Sequence, residues 1–244
     1  MRIVGIDCAT DPRKTGVVAL DWDGQLARVT MATLGEAGGS VAAIADAAAG
    51  REPALFCLDA PLGWPMALGR SLGPHRAGDA LAVPEANRLF RRRTDEFVRA
   101  RLGKQPLEVG ADRIARTAAS ALALLSELRQ RRGETIPLAW RPAIEASAAI
   151  EVYPAAVLLV RGLPASRYKP AAAQALRRQI LGGLAGELAA GRHQDAMVAN
   201  ADILDAALAG LAGVDFLSGA CAAPEDADLA VREGWIWIAG RMER

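Results

Sequence analysis

Five carboxylates stand where an apolar chain would not place them without a task. Asp7 closes the run Arg2-Ile3-Val4-Gly5-Ile6, and Asp59 closes Ala54-Leu55-Phe56-Cys57-Leu58. Each sits where a buried strand should meet a loop, and in open α/β sheets ligands gather beyond the carboxyl ends of the strands. An aspartate at that position also serves simply to accept hydrogen bonds from loop amides. The two therefore make a site only if their strands are neighbours. Asp202 and Asp205 are spaced i, i+3, which puts them on one helical face with Cβ atoms about 5–6 Å apart. Acids in a first turn offset the helix dipole, but this helix is otherwise rich in Ala and Leu, so a polar pair on it should line something. Glu151 interrupts Ala149-Ile150-Glu151-Val152-Tyr153, where a buried strand carries a charge only with a partner. If all five face one crevice, divalent cations are needed to offset their repulsion. Mg²⁺ and Mn²⁺ take oxygen ligands, and two such ions about 3.5–4 Å apart suit phosphodiester hydrolysis. Asp7, Asp59, Asp202 and Asp205 are then the expected metal ligands, with Glu151 as an additional ligand or an orienter of water.

The second chemical signal is basic. Residues 84 to 132 hold twelve Lys and Arg against six Asp and Glu, in a chain with 29 basic and 28 acidic residues and a net charge of +1. A mildly acidic body thus carries a basic helical segment. On a helix from Pro84-Glu85 to about Arg101, Arg88, Arg92, Asp95 and Arg99 fall into one stripe, while Phe90 and Phe97 lie on another face. Arg88, Arg92, Arg93 and Arg99 are candidate phosphate clamps, and the expected partner is nucleic acid. The competing reading is a solvated face with Arg–Asp pairs. Cys8 and Cys57 flank the strand-end aspartates but read as core thiols. His75 and His193 have no Cys or His at zinc spacing. There is no P-loop, Gly-x-Gly-x-x-Gly or Gly-x-Ser-x-Gly motif.

The elements that must position these groups follow from the hydrophobic pattern. Arg2 to Asp7, Thr15 to Leu20 and Leu26 to Thr33 read as three successive antiparallel strands, the last two joined by the turn Asp21-Trp22-Asp23-Gly24. Ser40 caps a helix that runs through Ala49 and stops at Gly50. Ala54 to Asp59 is a fourth strand, Pro61 to Pro84 a Gly- and Pro-rich loop, and about Asp112 to Arg132 another helix. Ala148 to Tyr153 resumes a strand; Pro154 opens a helix to about Arg161 and Pro170 another to about Ala190. Ile203 to Leu211 is helical, and Gly234-Trp235-Ile236-Trp237-Ile238 alternates like a strand. The expectation is one α/β domain over 1–244, a five-stranded mixed sheet flanked by helices, with a helical insertion over about 62–145.

Composition bounds the function. With 52% hydrophobic and 23% charged residues the chain can bury a sizeable core, and its near-zero net charge excludes a histone-like binder. No run of about 18 uncharged apolar residues suggests a membrane span. Asp7 arrives too early for a signal peptide, and three cysteines without metal spacing suggest reduced thiols. A cytoplasmic location is expected.

Together these segments resemble a known family. The order of elements and the tail Asp202-Ile203-Leu204-Asp205-Ala206-Ala207-Leu208-Ala209 are similar to the ribonuclease H-like superfamily and its RuvC-type resolvases. More closely, Gly5-Ile6-Asp7, Leu58-Asp59-Ala60-Pro61-Leu62-Gly63, Arg92-Arg93-Thr94-Asp95, Glu151-Val152-Tyr153-Pro154-Ala155-Ala156, Asp205-Ala206-Ala207 and Glu233-Gly234-Trp235-Ile236-Trp237 resemble the family called domain of unknown function 429. The resemblance implies a ribonuclease H-like fold and a proposed nuclease activity, with Mg²⁺ or Mn²⁺ as cofactor. Two other classes compete: a non-catalytic binding module on the same fold, and an actin-like ATPase or kinase, which would require a second copy of the opening strands that this chain lacks.

Overall fold

The computed structural model describes residues 1–80, 86–110 and 112–240. Four strands open the architecture: β1 (Arg2–Asp7), β2 (Gly16–Trp22), β3 (Ala27–Leu34) and, after helix α1 (Val41–Ala49), β4 (Ala54–Asp59). β5 (Ala148–Glu151) and the short β6 (Leu188–Ala189) complete a sheet in the order β5-β4-β1-β2-β3-β6. β1, β2 and β3 run antiparallel in succession, β4 and β5 add in parallel beyond β1, and β6 adds in parallel beyond β3. The sheet is mixed and flanked by helices, as expected, but has six strands, not five. The difference comes from Pro170 onward: the helix expected to reach Ala190 ends at Gly183, and the chain then pairs Leu188 with Ala27 at the open edge of β3.

Strand alternation sorts the core into two layers. Ile3, Leu55 and Cys57 join the layer that faces α8 (Ala201–Leu217), whereas Val4, Ile6, Phe56 and Leu58 pack with Ala45 of α1 and Leu125 of α4 (Asp112–Arg132). The C-terminal helix of the basic segment therefore covers one face of the sheet. By the same alternation Gly5, Asp7 and Asp59 belong to the α8 side.

Four shorter helices complete this part of the chain: α2 (Met66–Leu72), α3 (Arg93–Leu102), α5 (Pro154–Val160) and α6 (Gln174–Gly183). α7 (Gln194–Ala199) leads into α8, and α9 (Ala227–Glu233) follows it. α2 falls inside the stretch read as loop, and neither α7 nor α9 was expected. The segment expected as a closing strand makes only isolated bridges, Ile236 with Glu151 and Ala239 with Cys221. The expected helix start at Pro84-Glu85 lies outside the described residues. From Ala86 to Leu89 the chain makes a 3-10 turn, and the α-helix begins only at Arg93. Among the described residues no helix is long and apolar enough to cross a membrane.

Candidate active site

Asp7 and Asp59 are register partners at the ends of neighbouring parallel strands. Their side chains thus leave the sheet on one face, one strand spacing apart. Facing them is α8, which lies against the sheet backbone to backbone. A Cβ on Gly5 would stand 2.0 Å from the Ala206 carbonyl oxygen, and one on Gly16 would stand 2.1 Å from that of Asp202. Glycine at both positions lets the helix come this close. The approach brings the fully buried Asp205 into the cleft with Asp7 and Asp59. Asn200 fixes the start of α8, its side chain accepting hydrogen bonds from the amides of Asp202 and Ile203.

The cleft has a volume of about 450 Å³ and is also lined by Cys8, Lys104, Tyr153, Tyr168 and Lys169. Burial first, then the charges of Asp59 and Asp205, pushes the Asp7 carboxyl well above the usual carboxylate range. Burial, then Asp205, pushes Asp59 up to about 8. Two cleft residues that the sequence did not single out answer this charge. The Tyr168 hydroxyl donates to Asp205 Oδ1 at 2.8 Å, and Lys169 Nζ lies 2.7 Å from Asp205 Oδ2. The buried Oδ2 is thus partnered by the Lys169 ammonium. Lys169 runs along the surface with its tip turned inward, its own pKa raised by Asp205 against the opposing effect of burial.

The loop carrying Tyr168 and Lys169 is held from behind. Arg177 of α6, fully buried, donates to the carbonyls of Tyr168, Pro170 and Ala171 on that loop. It also donates to Val198 and Ala199 at the end of α7. Those last two carbonyls have no partner within their helix and sit at its negative end. A guanidinium there is stabilised without a carboxylate. Arg167 in the same loop adopts a left-handed φ of 64°. No periodic pattern marks these residues in the sequence. The one local cue is Lys169-Pro170, since a residue before proline is extended.

The other expected site residues are placed differently. Asp202 is half-buried at the edge; its charge contributes to raising Asp7, but it does not line the cleft. Glu151 borders the cleft, but its carboxylate is engaged: Arg92 binds both oxygens at 2.7 and 2.9 Å, and the Leu62 amide donates to Oε2. Arg92 also pairs with Asp95, and all three side chains are buried. The exposed stripe expected of Arg88, Arg92, Asp95 and Arg99 is therefore not formed. Arg92 precedes α3 and turns inward, because Asp95 accepts from its amide as an N-terminal cap. Arg88 and Arg93 meet Glu96, and Arg99 is exposed on α3.

The chain matches over residues 5–229 the model for a protein family of unknown function, DUF429. It belongs to the DUF429 family. The match spans all three cleft aspartates, both cleft lysines and the buried Arg92–Glu151 pair. No curated protein matches the chain, and no solved structure does.

Whether the DUF429 cleft suits a metal can be judged from its donors. Three carboxylates from three elements line one cleft, and burial with neighbouring acids raises the proton affinity of Asp7 and Asp59; such oxygen donors are what a hard, oxygen-seeking cation takes. The set fits such an ion in kind. As the side chains stand, no group of three or more His, Cys, Asp or Glu among the described residues is drawn together enough to hold one ion. The Lys169 ammonium is the cation paired with Asp205.

Proposed function

We propose that this protein is a metal-dependent phosphodiester hydrolase, that its mixed sheet is the ribonuclease H-like arrangement, and that Asp7, Asp59 and Asp205 hold Mg²⁺ or Mn²⁺ with Asp202 beside them. The observation that carries this reading is the convergence of those three carboxylates from β1, β4 and α8 in one cleft. Such ions, when bound, polarise the phosphoryl oxygens and neutralise charge on the attacking and departing oxygens. A water oxygen bonds to phosphorus as the ester P–O bond breaks, and a proton from the water ends on the released hydroxyl. Lys169, once freed from Asp205, and Lys104 supply N–H donors for the phosphate oxygens. Glu151 and Arg92 hold the strand end and the segment after Asp59 in place, since Glu151 receives the Leu62 amide.

The test is hydrolysis of bis(p-nitrophenyl) phosphate, a minimal diester. Wild type should release nitrophenol with Mn²⁺ and not with EDTA, and Asp7→Asn and Asp59→Asn should each abolish it. Turnover retained by both variants would sink the assignment. The Lys169–Asp205 pair favours a second reading, a non-catalytic binding module in which lysine is the permanent counter-ion. That protein would release no nitrophenol.

A further inference from the structure

The cleft has two kinds of wall, and the phosphodiester chemistry uses only one. Besides the carboxylates, the segment after α3 contributes Pro106 and Leu107 to the lining, α4 contributes Ile114, and Tyr153 contributes from the start of α5. Leu107 is 70% exposed, one of the most exposed large apolar side chains of the described residues, and it lies at the mouth of a charged site. Lys104 lies among these groups. It spends one of its three N–H donors on the Ala165 carbonyl at 2.9 Å, which leaves two for a ligand, and it lines the same cleft as Lys169.

Resting on the hydrolase reading above, we propose that the cleft accepts a nucleoside phosphate as a single unit, either a free nucleotide or the unpaired end of a strand. The phosphate lies between Lys104, Lys169 and the carboxylates, and the base and sugar lie against Leu107, Ile114 and Tyr153. Size supports this. A volume of about 450 Å³ is that of a small-ligand site, and a base pair still in its duplex would not enter it. The state of the arginines supports it as well. A duplex is gripped along its phosphates by unpaired basic side chains. Here, of the four arginines expected to clamp phosphate, Arg88 and Arg93 meet Glu96 and Arg92 is buried against Asp95 and Glu151, which leaves Arg99 exposed on α3. An exposed apolar wall beside two lysines suits a base with its phosphate, and bases of any sequence present a flat face to it.

The test is calorimetric titration of the full chain in Mn²⁺ with thymidine 5′-monophosphate, which has no diester to cleave. Ribose 5-phosphate, a phosphorylated thymidine tetranucleotide and a short blunt duplex serve as comparisons. Thymidine 5′-monophosphate and the single strand should bind at least about tenfold more tightly than ribose 5-phosphate and the duplex. Leu107→Asp should remove the preference over ribose 5-phosphate. Lys104→Met should weaken both monophosphates by about tenfold while leaving the Mn²⁺-induced rise in melting temperature intact. Equal affinity for the two monophosphates, or tighter binding of the duplex, would overturn the proposal. The hydrolase reading fails separately, by the absence of any effect of Mn²⁺ alone on the melt.

Discussion

Asp59 shows what buried carboxylates do to one another. Its pKa stands near 8, and that of Asp7 is also well above the usual range of about 4. Between these limits the folded protein keeps protons that the unfolded chain has already released. Its stability without metal therefore falls as pH rises from about 4 to about 8. Asp59→Asn should remove its own share of that slope, leaving the part due to burial of Asp7, and raise metal-free stability at pH 8 by about 2 kcal/mol, read from urea denaturation. If the aspartate were a needed cap, the variant would instead be less stable. The pKa of Glu151 is also raised by burial, but its partner is an arginine that opposes the shift, and not another acid. Glu151→Ala leaves the Arg92 guanidinium buried beside Asp95 alone and should cost about 3–5 kcal/mol in the same measurement. A cost below about 1 kcal/mol would mean that the pair is not what holds this wall.

At the scale of elements, the site depends on how closely α8 can approach β1. Gly5→Ala would drive a methyl into the Ala206 carbonyl. It should cost about 3 kcal/mol or more by overpacking, visible as a lower denaturation midpoint. Arg177→Met would leave five carbonyls without their donor. Amide hydrogen exchange around residues 166–171 should then quicken, while exchange in β1 should not. The strand ends at Asp7 and Asp59 were legible in the sequence because an acid closing an apolar run marks where a strand meets a loop, whether it then serves a site or only caps that loop. The i, i+3 pair on α8 was legible for a similar reason, although only Asp205 of that pair reaches the cleft. The arginine stripe was misread because periodicity assumes the helix it is meant to establish. Asp95 caps the helix at Arg92, so the stripe begins where the helix does not. β6 escaped notice because two residues carry no alternation, and Lys169 because a loop lysine has no spacing to betray it.

For the whole molecule, the charge imbalance of residues 84–132 was readable from composition, but its meaning was not. Ion pairs with acids outside the segment, Arg92 with Glu151 and Arg132 with Asp46 and Glu134, take up part of that excess. What distinguishes the molecule is instead an acidic centre, in which three aspartates from β1, β4 and α8 meet one lysine. Without a cation that centre opposes folding at neutral pH, and with one it should favour it. The most direct measurement is a thermal melt at pH 7.5 with and without Mn²⁺, on wild type and on Asp7→Asn. An ion bound only by the folded state must raise stability. Wild type should gain about 5–10 °C when Mn²⁺ is present at a hundredfold excess over its dissociation constant, and Asp7→Asn should gain almost nothing. A wild-type melt unmoved by millimolar Mn²⁺, or an equal gain in Asp7→Asn, would contradict a metal centre built on these carboxylates.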